Sequence, residues 1–243
     1  MTRRRILIVL GSVAAVVAVL GGVIAALRHT PAFYAESLRD DVSTEVREQQ
    51  SKKFVQLATQ LEGSIVRDNR WSGEFTQDQI NGFLAYDLPE RFSSWLPQRV
   101  VNPRIRLSAG AIDLAFHYQQ GWWTGTVHVQ VRPYILGPNQ LGLDVRTVRA
   151  GAVPIPMAKP LDEIVREMRK SGWIVQWRPT KSGELLVIDL QPEIAAKLSL
   201  DGVELHEGVL RFAGHRPSPE VTAARAASAN SPATAAKTTR PRR

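Results

Sequence analysis

His117 and His128 are the two histidines whose spacing could support chemistry. Each falls on the polar phase of an alternating, strand-like run, so a hairpin between the runs could bring them opposite one another. Neutral imidazole binds metal ions, and Asp113, on the same strand face as His117, is the nearby candidate for a third ligand. This is a weak pattern, and two surface histidines are the favoured interpretation. We therefore predict no metal site.

Carboxylates occur in two pairs on segments with a helical pattern, Asp40-Asp41 and Glu163 with Glu167. Both pairs lie on polar helix faces, so a solvated role is favoured over acid–base catalysis. Asn81 lies one position from an apolar helix face, where a structural hydrogen bond is its favoured role.

The sequence contains none of the catalytic or nucleotide-binding motifs that carry a known mechanism. It has no G-x-S-x-G, H-E-x-x-H or P-loop pattern, and no G-x-G-x-x-G after a strand. It also has no cysteine, which excludes a thiolate nucleophile, a disulfide and a cysteine-bound metal. We expect no catalytic residue, no cofactor and no enzymatic activity.

Four aromatic residues are candidates for contact with a membrane interface. Trp122 and Trp123 adjoin a predicted hairpin turn and must face opposite sides of a strand, so one of them could stay exposed. Packing against the long helix is the somewhat favoured interpretation for this pair. Phe33 and Tyr34 follow an apolar run at the depth where lipid headgroups would lie.

That apolar run, from Ile6 to Leu27, predicts a membrane span. It carries no charge and as a helix would extend about 33 Å, enough for a bilayer core of about 30 Å. Arg3, Arg4 and Arg5 precede it, which places the N-terminus in the cytoplasm. A cleaved signal peptide, including a twin-arginine signal, is less favoured because the run is long and lacks a good cleavage site. We expect a single-pass protein of the bacterial cytoplasmic (inner) membrane.

The formal net charge of +8 lies at the two ends of the chain. Residues 6–215 are formally neutral, so the body offers no basic surface for a polyanion and we predict no nucleic-acid partner. Residues 216–243 are rich in Ala, Ser, Thr, Pro and Arg without periodicity, which predicts a disordered basic tail. The tail could touch anionic headgroups or wall polymers, or remain solvated without a ligand.

A long amphipathic helix is predicted from Ala32 to about Asp68. Its apolar stripe includes Phe54, Leu57 and Leu61. A coiled-coil seam for a dimer is possible, but packing on the strands that follow is favoured because the repeat is short.

The stretch WSGEFTQDQINGFLAYDLPERF, residues 71–92, predicts a short strand followed by a helix. Thr76 is a good N-cap and Gln79 completes a capping box, while Pro89 marks the helix end. We interpret this stretch as an entry point of the fold and not as an active site.

Alternating apolar residues then predict an antiparallel meander with one wet face, a short helix near residues 161–168 and further strands up to Phe212. The strand-like runs are PRIRLS, AIDLAFHY, TVHVQVRP, QLGLDVR, WIVQWRP, ELLVIDL and a final pair around residues 203–205 and 209–212.

The order of these signals, FTQDQIN, strands, AGAVPIP, a helix, SGWIVQWRP and a terminal strand pair, resembles the YpmS-like group of single-pass anchored bacterial proteins. It is loosely similar to tubular lipid-binding (TULIP-like) domains. The likeness covers about residues 72–213. It implies a long helix held in a curved antiparallel sheet with a lengthwise apolar groove, and it carries over no catalytic residue.

The resulting expectation is an α+β chain with an N-terminal transmembrane helix and a long amphipathic helix packed on a curved antiparallel β-sheet meander. The expected segments are a cytoplasmic tip (1–5), the membrane helix (6–27), a juxtamembrane helix (28–70), an extracytoplasmic β-rich domain (71–215) and the tail (216–243).

We expect a membrane-anchored binding module for a lipid or other apolar ligand. The alternative is a non-enzymatic envelope scaffold or assembly factor that binds a partner protein through the long helix or the tail. Candidate groove residues are Leu114, Phe116, Val129, Val131 and Leu143.

Overall fold

The structure is a computed structural model that describes residues 22, 25–39, 43–93, 96–121, 123–137, 139–155, 158–170, 172–180, 183–195 and 197–217. The predicted cytoplasmic tip, most of the predicted membrane span, Asp40-Asp41, Trp122 and nearly all of the predicted tail lie outside the described residues. So does the side chain of Trp123. None of the helices within the described ranges combines the length and the apolar character needed to cross a membrane.

The helices are α1 (Ala32–Leu38), α2 (Thr44–Arg67), α3 (Gln77–Ala85), α4 (Asp87–Arg91), α5 (Ala158–Lys170) and α6 (Pro192–Ala195). The helix predicted from Ala32 to Asp68 is therefore interrupted. Arg39 has extended backbone angles after α1, and the Ser43 hydroxyl accepts a hydrogen bond from the Val46 amide (3.3 Å) as the N-cap of α2. Because serine is a good N-cap residue, Ser43 favours the start of a second helix, α2, over the continuation of α1.

The strands are β1 (Arg70–Thr76), β2 (Val100–Ser108), β3 (Ala111–Gln120), β4 (Trp123–Gly137), β5 (Gln140–Ala150), β6 (Val153–Pro154), β7 (Ile174–Thr180), β8 (Gly183–Asp189), β9 (Ser199–His206) and β10 (Val209–His215). Within the described residues they form two antiparallel sheets. The large sheet has the order β2-β3-β4-β5-β8-β7, with β6 paired to β5, and the small sheet has the order β1-β10-β9. The predicted α+β class with a long antiparallel sheet is confirmed.

One face of the large sheet packs on α5. Phe116, Val129 and Val148 from the sheet are buried together with Leu161 from the helix, and Val165 belongs to a second cluster beside it. The short helix predicted near residues 161–168 is thus present, and it covers the apolar face of the meander. This cluster forms the main core.

The long helix α2 packs on α3 and on β1 of the small sheet. Phe54 lies between two rings, with centroid distances of 5.2 Å to Phe75 and 4.8 Å to Phe83. Leu61 lies directly over Gly73, where a Cβ would come within 2.8 Å of the leucine side chain. The apolar stripe was expected to cover the meander. It covers the elements that follow it in sequence instead, because α5 already occupies the apolar face of the large sheet.

The opposite face of the large sheet was expected to be wet, and the structure covers part of it. Residues 25–39 cross this face, and the Ala152 amide donates a hydrogen bond to the Ala26 carbonyl (2.8 Å). Gly151, with a φ of +62°, lets the chain approach so closely that a Cβ there would lie 2.3 Å from the Ala26 oxygen. Tyr34 on the same segment is 0% exposed. The polar face of the strands is therefore an internal surface at this point.

Candidate functional site

Helix α3 begins with the predicted capping box. The Gln79 amide donates to the Thr76 hydroxyl (3.3 Å), and the Thr76 amide donates to the Gln79 side-chain oxygen (2.9 Å). Both bonds satisfy amides that the first helical turn leaves without an intrahelical partner. The start and the direction of α3 are thus fixed by two residues at its N-terminus.

The side chains of α3 bind the open edge of β2. The Asn81 side-chain oxygen accepts from the Ile105 amide and its nitrogen donates to the Ile105 carbonyl, both at 2.8 Å. The Gln77 side-chain oxygen accepts from the Leu107 amide at 2.9 Å. The structural hydrogen bond predicted for Asn81 is confirmed. Together, Asn81 and Gln77 make backbone hydrogen bonds that a neighbouring strand would otherwise make at this edge of β2.

A pocket of about 360 Å³ lies where α3 and β2 meet α1 and α2, and we call it the arginine pocket. Its charged lining residues are Glu36, Arg47, Asp78, Arg104 and Arg106, its amides are Gln50, Gln77 and Asn81, and its larger apolar residues are Phe33, Val46 and Ile105. A larger, more open depression over the small sheet is lined by exposed charges, including the pair His215 and Asp201 (2.7 Å). The arginine pocket is the better candidate because it places charged groups beside apolar side chains in a partly enclosed space.

Arg106 is bound to Asp113 and packs on Phe33, although 44% of its side chain is exposed. Its Nε and Nη2 atoms donate to one oxygen of Asp113, at 3.1 and 2.8 Å, and its guanidinium lies 4.7 Å from the centre of the Phe33 ring. The other Asp113 oxygen accepts from Gln130 (3.0 Å) and from His128 Nε2 (2.9 Å). Burial alone would raise the pKa of Asp113, but the hydrogen bonds from His128 and Arg106 outweigh it and lower the pKa to about 2. The carboxylate therefore balances the charge of Arg106.

Arg104 is the buried cation of the pocket, with 6% of its surface exposed. Its Nη1 atom donates to the Pro103 carbonyl at 2.7 Å. Burial lowers the pKa of its guanidinium; Tyr34 opposes this and the positive charge of Arg47 adds to it. The two carboxylates of the lining, Glu36 and Asp78, are exposed.

Tyr34 fixes the wall of the pocket that α1 provides. Its hydroxyl donates to the Asn102 carbonyl (2.9 Å) and lies 3.1 Å from His117 Nδ1. Since the phenol has one proton, His117 Nδ1 is the donor in the second bond. Burial raises the pKa of Tyr34 to about 12, against the lowering effect of Arg104.

The candidate metal ligands have other partners. His117 is opposite Thr126 in the β3–β4 register, and its ring binds Tyr34. His128 binds Asp113 and packs against Phe33 with ring centroids 5.6 Å apart, leaving 16% of its side chain exposed. The interpretation of two surface histidines is thus wrong, because residues 25–39 cover that face. No cluster of three or more potential His, Asp or Glu ligands occurs in the described part of the chain.

The predicted groove residues belong to the core. Phe116 and Val129 are 0% and 1% exposed and pack in the cluster that contains Leu161. Leu114 and Val131 pack against the same cluster. The last groove candidate, Leu143, packs against the second cluster beneath α5. Protein side chains fill the space around these residues.

The two membrane-interface candidates that the structure describes in full also lie on the domain. Tyr34 is completely buried, so its ring does not reach the surface. Phe33 makes an edge-to-face contact with His128, and the Arg106 guanidinium lies over its ring. The rings of Phe33 and Tyr34, which suggested contact with lipid headgroups, attach residues 25–39 to the large sheet.

Sequence reasoning missed the arginine pocket. Arg104 follows Pro103 in a run whose alternation indicates a strand, and its charge there predicts a solvent-facing residue. Gln77 and Asn81 lie in the stretch that was interpreted as a fold entry point. The structural hydrogen bond predicted for Asn81 is present, and both residues also line the pocket. An arginine on the polar face of a strand carries no signal of burial, because the covering element, α1, lies far away in sequence.

The carboxylate pair on α5 was predicted to be solvated and is partly engaged. Glu163 accepts a hydrogen bond from the Tyr118 hydroxyl at 2.8 Å, and Glu167 pairs with Lys170 at 2.6 Å. The Glu163 contact attaches the helix to the sheet, whereas the Glu167 pair lies within α5, so the two carboxylates take part in separate interactions.

Comparison of the chain with protein-family models, with curated proteins and with solved structures gave no match in any of the three. The resemblance to YpmS-like and TULIP-like proteins therefore stays a prediction.

Proposed function

We propose that this chain is a membrane-anchored binding module that holds an amphiphilic ligand, such as a lipid, in the arginine pocket. The observation that carries the proposal is the pocket itself, about 360 Å³ in volume and lined by both charged and apolar side chains. A ligand with a polar end and an apolar part fits such a lining.

The anchor and the location are supported by the sequence. The uncharged run from Ile6 to Leu27 is long enough to span a bilayer, and the arginines before it favour a cytoplasmic N-terminus. Residues 28–39 connect this run to the wall of the pocket, since Phe33 and Glu36 are lining residues. The proposed site would then lie near the outer surface of the cytoplasmic membrane.

A reporter enzyme fused after Arg243 tests the location. We expect activity with a reporter that functions only outside the cytoplasm and none with a cytoplasmic one. The reverse pattern would place the domain on the other side of the membrane and remove the proposed location.

A sheet groove is less well supported than the arginine pocket. Val129 is 1% exposed within the core, so its replacement by tryptophan should destabilise the domain by roughly 1–3 kcal/mol through overpacking. Val46 is 43% exposed at the pocket, so tryptophan there should fill the pocket at little cost in stability. The two variants therefore distinguish a ligand bound in a groove of the sheet from a ligand bound in the arginine pocket.

The ligand itself can be sought by native mass spectrometry of the full chain released from detergent micelles. We expect bound mass with the wild type and its loss in Val46→Trp, with melting temperatures that agree within a few degrees. Bound mass that survives in Val46→Trp and disappears from a still-folded Val129→Trp would relocate the site to the sheet. No bound mass in any form would leave the scaffold alternative ahead.

A binding role is proposed in preference to catalysis. The lining carboxylates Glu36 and Asp78 are exposed to solvent, and the buried Asp113 is held by hydrogen bonds from His128 and Arg106. Groups held in this way stabilise the fold, while a catalytic acid or base must reach a substrate atom.

A further inference from the structure

Arg104 carries a positive charge that no carboxylate among the described residues balances. It lies on β2 opposite Ala115, 6% exposed, and none of the described Asp or Glu side chains forms an ion pair with it. Asp113, the buried carboxylate two residues before Ala115, is taken by Arg106 and His128. Removing a charge from water is costly unless a counter-charge is supplied. A bound anion would supply it.

We propose that Arg104 binds an anionic oxygen group, a phosphate, at the buried end of the arginine pocket, and this inference rests on the proposed binding function. The planar guanidinium presents several N–H donors that match the oxygen geometry of phosphate. Of those donors, Nη1 is directed at the Pro103 carbonyl.

The neighbouring charges favour an anion at this position. Arg47 also lines the pocket and lies close enough to lower the pKa of Arg104. An anion between two guanidinium groups relieves that repulsion. The carboxylates of the lining, Glu36 and Asp78, are exposed, so water and salt screen their repulsion of a bound phosphate.

The apolar part of the lining indicates what is attached to the phosphate. Phe33, Val46 and Ile105 provide carbon surface beside the charged groups. A phosphate ester with a hydrocarbon substituent would use both parts, whereas free phosphate would use the arginines alone. The headgroup of a lipid and inorganic phosphate share the same anionic chemistry, and the binding assay separates them.

The test measures binding to the full chain in dodecyl maltoside micelles by isothermal titration calorimetry. The probes are inorganic phosphate, dihexanoyl phosphatidic acid and uncharged dihexanoyl glycerol. The variants are Arg104→Met, Arg104→Lys and Val46→Trp, with Arg178→Met as the matched control. Arg178 is an exposed arginine on β7, at the other edge of the large sheet from Arg104.

We expect the wild type to bind dihexanoyl phosphatidic acid, and Arg104→Met to weaken this affinity by about tenfold or more. Arg104→Lys should retain part of the affinity because it keeps the charge, Val46→Trp should lose it, and Arg178→Met should match the wild type. Equal affinity for inorganic phosphate would identify free phosphate as the ligand, and much weaker binding would identify the lipid headgroup.

Thermal unfolding separates a ligand-binding arginine from a structural one. Because none of the carboxylates in the described ranges neutralises Arg104, the ligand-free Arg104→Met variant should melt at or above the wild-type temperature. The phosphatidic acid should raise the melting temperature of the wild type more than dihexanoyl glycerol does, a measurement that needs no variant.

Two results overturn the inference in different ways. Equal affinity of the wild type and folded Arg104→Met, or equal affinity for the charged and the uncharged lipid, would remove the anion site and leave the binding module. If none of the three probes binds, both the anion site and the proposed pocket function fail.

Discussion

The contact between α2 and α3 at Gly82 can be tested with a single methyl group. A Cβ at this position would lie 2.7 Å from Gln50 Cβ, 2.8 Å from the Ser51 nitrogen and 3.0 Å from the Arg47 oxygen. Two of these atoms belong to the backbone of α2 and cannot rotate away. The alanine variant must therefore push the two helices apart, and both of them line the arginine pocket.

Two effects of opposite sign determine the stability of Gly82→Ala. Alanine is preferred over glycine inside a helix by about 1 kcal/mol. Overpacking costs roughly 1–3 kcal/mol, and contact with backbone atoms places the cost in the upper part of that range. The shift would also disturb the buried hydrogen bond that Ser51 donates to Asp87. We expect a net loss of about 1–2 kcal/mol, which lowers the melting temperature by about 2–8 °C.

Gly63 in α2 is the matched control. Its Cβ would meet the Arg67 guanidinium at 3.1 Å, the far end of a flexible side chain that can move. Gly63→Ala should therefore gain about 0.5–1 kcal/mol from helix preference alone. Thermal and urea unfolding followed by circular dichroism measure both variants. A Gly82→Ala variant as stable as Gly63→Ala would refute the close approach of α2 and α3.

Three further outcomes are expected. Asp113 has a pKa of about 2 in the folded protein, compared with its usual 3.8. Its ionised form therefore stabilises the fold above pH 4 by about 2 kcal/mol, and this stabilisation is lost as the pH falls from about 4 to 2. Asp113→Asn should lower the melting temperature at pH 7 and flatten its decline in acid; an unchanged acid slope would contradict this. Tyr34→Phe should cost about 1–3 kcal/mol in urea unfolding because two hydrogen bonds of the hydroxyl, to the Asn102 carbonyl and to His117, are lost, whereas a neutral result would mean that water replaces the hydroxyl. Deletion of residues 216–243 should leave the melting temperature unchanged because that segment has no apolar face, and a large decrease would show that it packs.

Local patterns predicted the elements of this fold. The alternation in AIDLAFHY and TVHVQVRP indicated β3 and β4, which pair in register from Ile112 opposite Val131. The spacing of Thr76 and Gln79 predicted the capping box that starts α3. These features depend on residues close in sequence, and their period or spacing is visible without tertiary contacts.

Long-range contacts were not predictable in the same way. The apolar stripe through Phe54 can pack on any apolar surface. The sequence alone therefore does not distinguish packing on Phe75 and Phe83, which the structure has, from packing on the meander. The strand pattern around Arg104 predicts a solvent-facing residue. Arg104 is buried because Tyr34, 70 positions earlier in the sequence, covers its face of the sheet. The candidate site exists only where such distant segments meet, and one sequence does not give that juxtaposition.

The pairing of β1 with β10 has a consequence for the order of folding as the chain is made. Glu74 on β1 and Arg211 on β10 form an ion pair at 2.6 Å although they are 137 residues apart. During synthesis, the whole large sheet therefore emerges before the strand partner of β1 exists. Until then its hydrogen-bonding edge and the ring of Phe75 can associate with other chains, and closing so long a loop is slow. A chain that stops before Val209 would keep the strands of the large sheet but leave β1 unpaired, which makes such a product a substrate for aggregation and proteolysis.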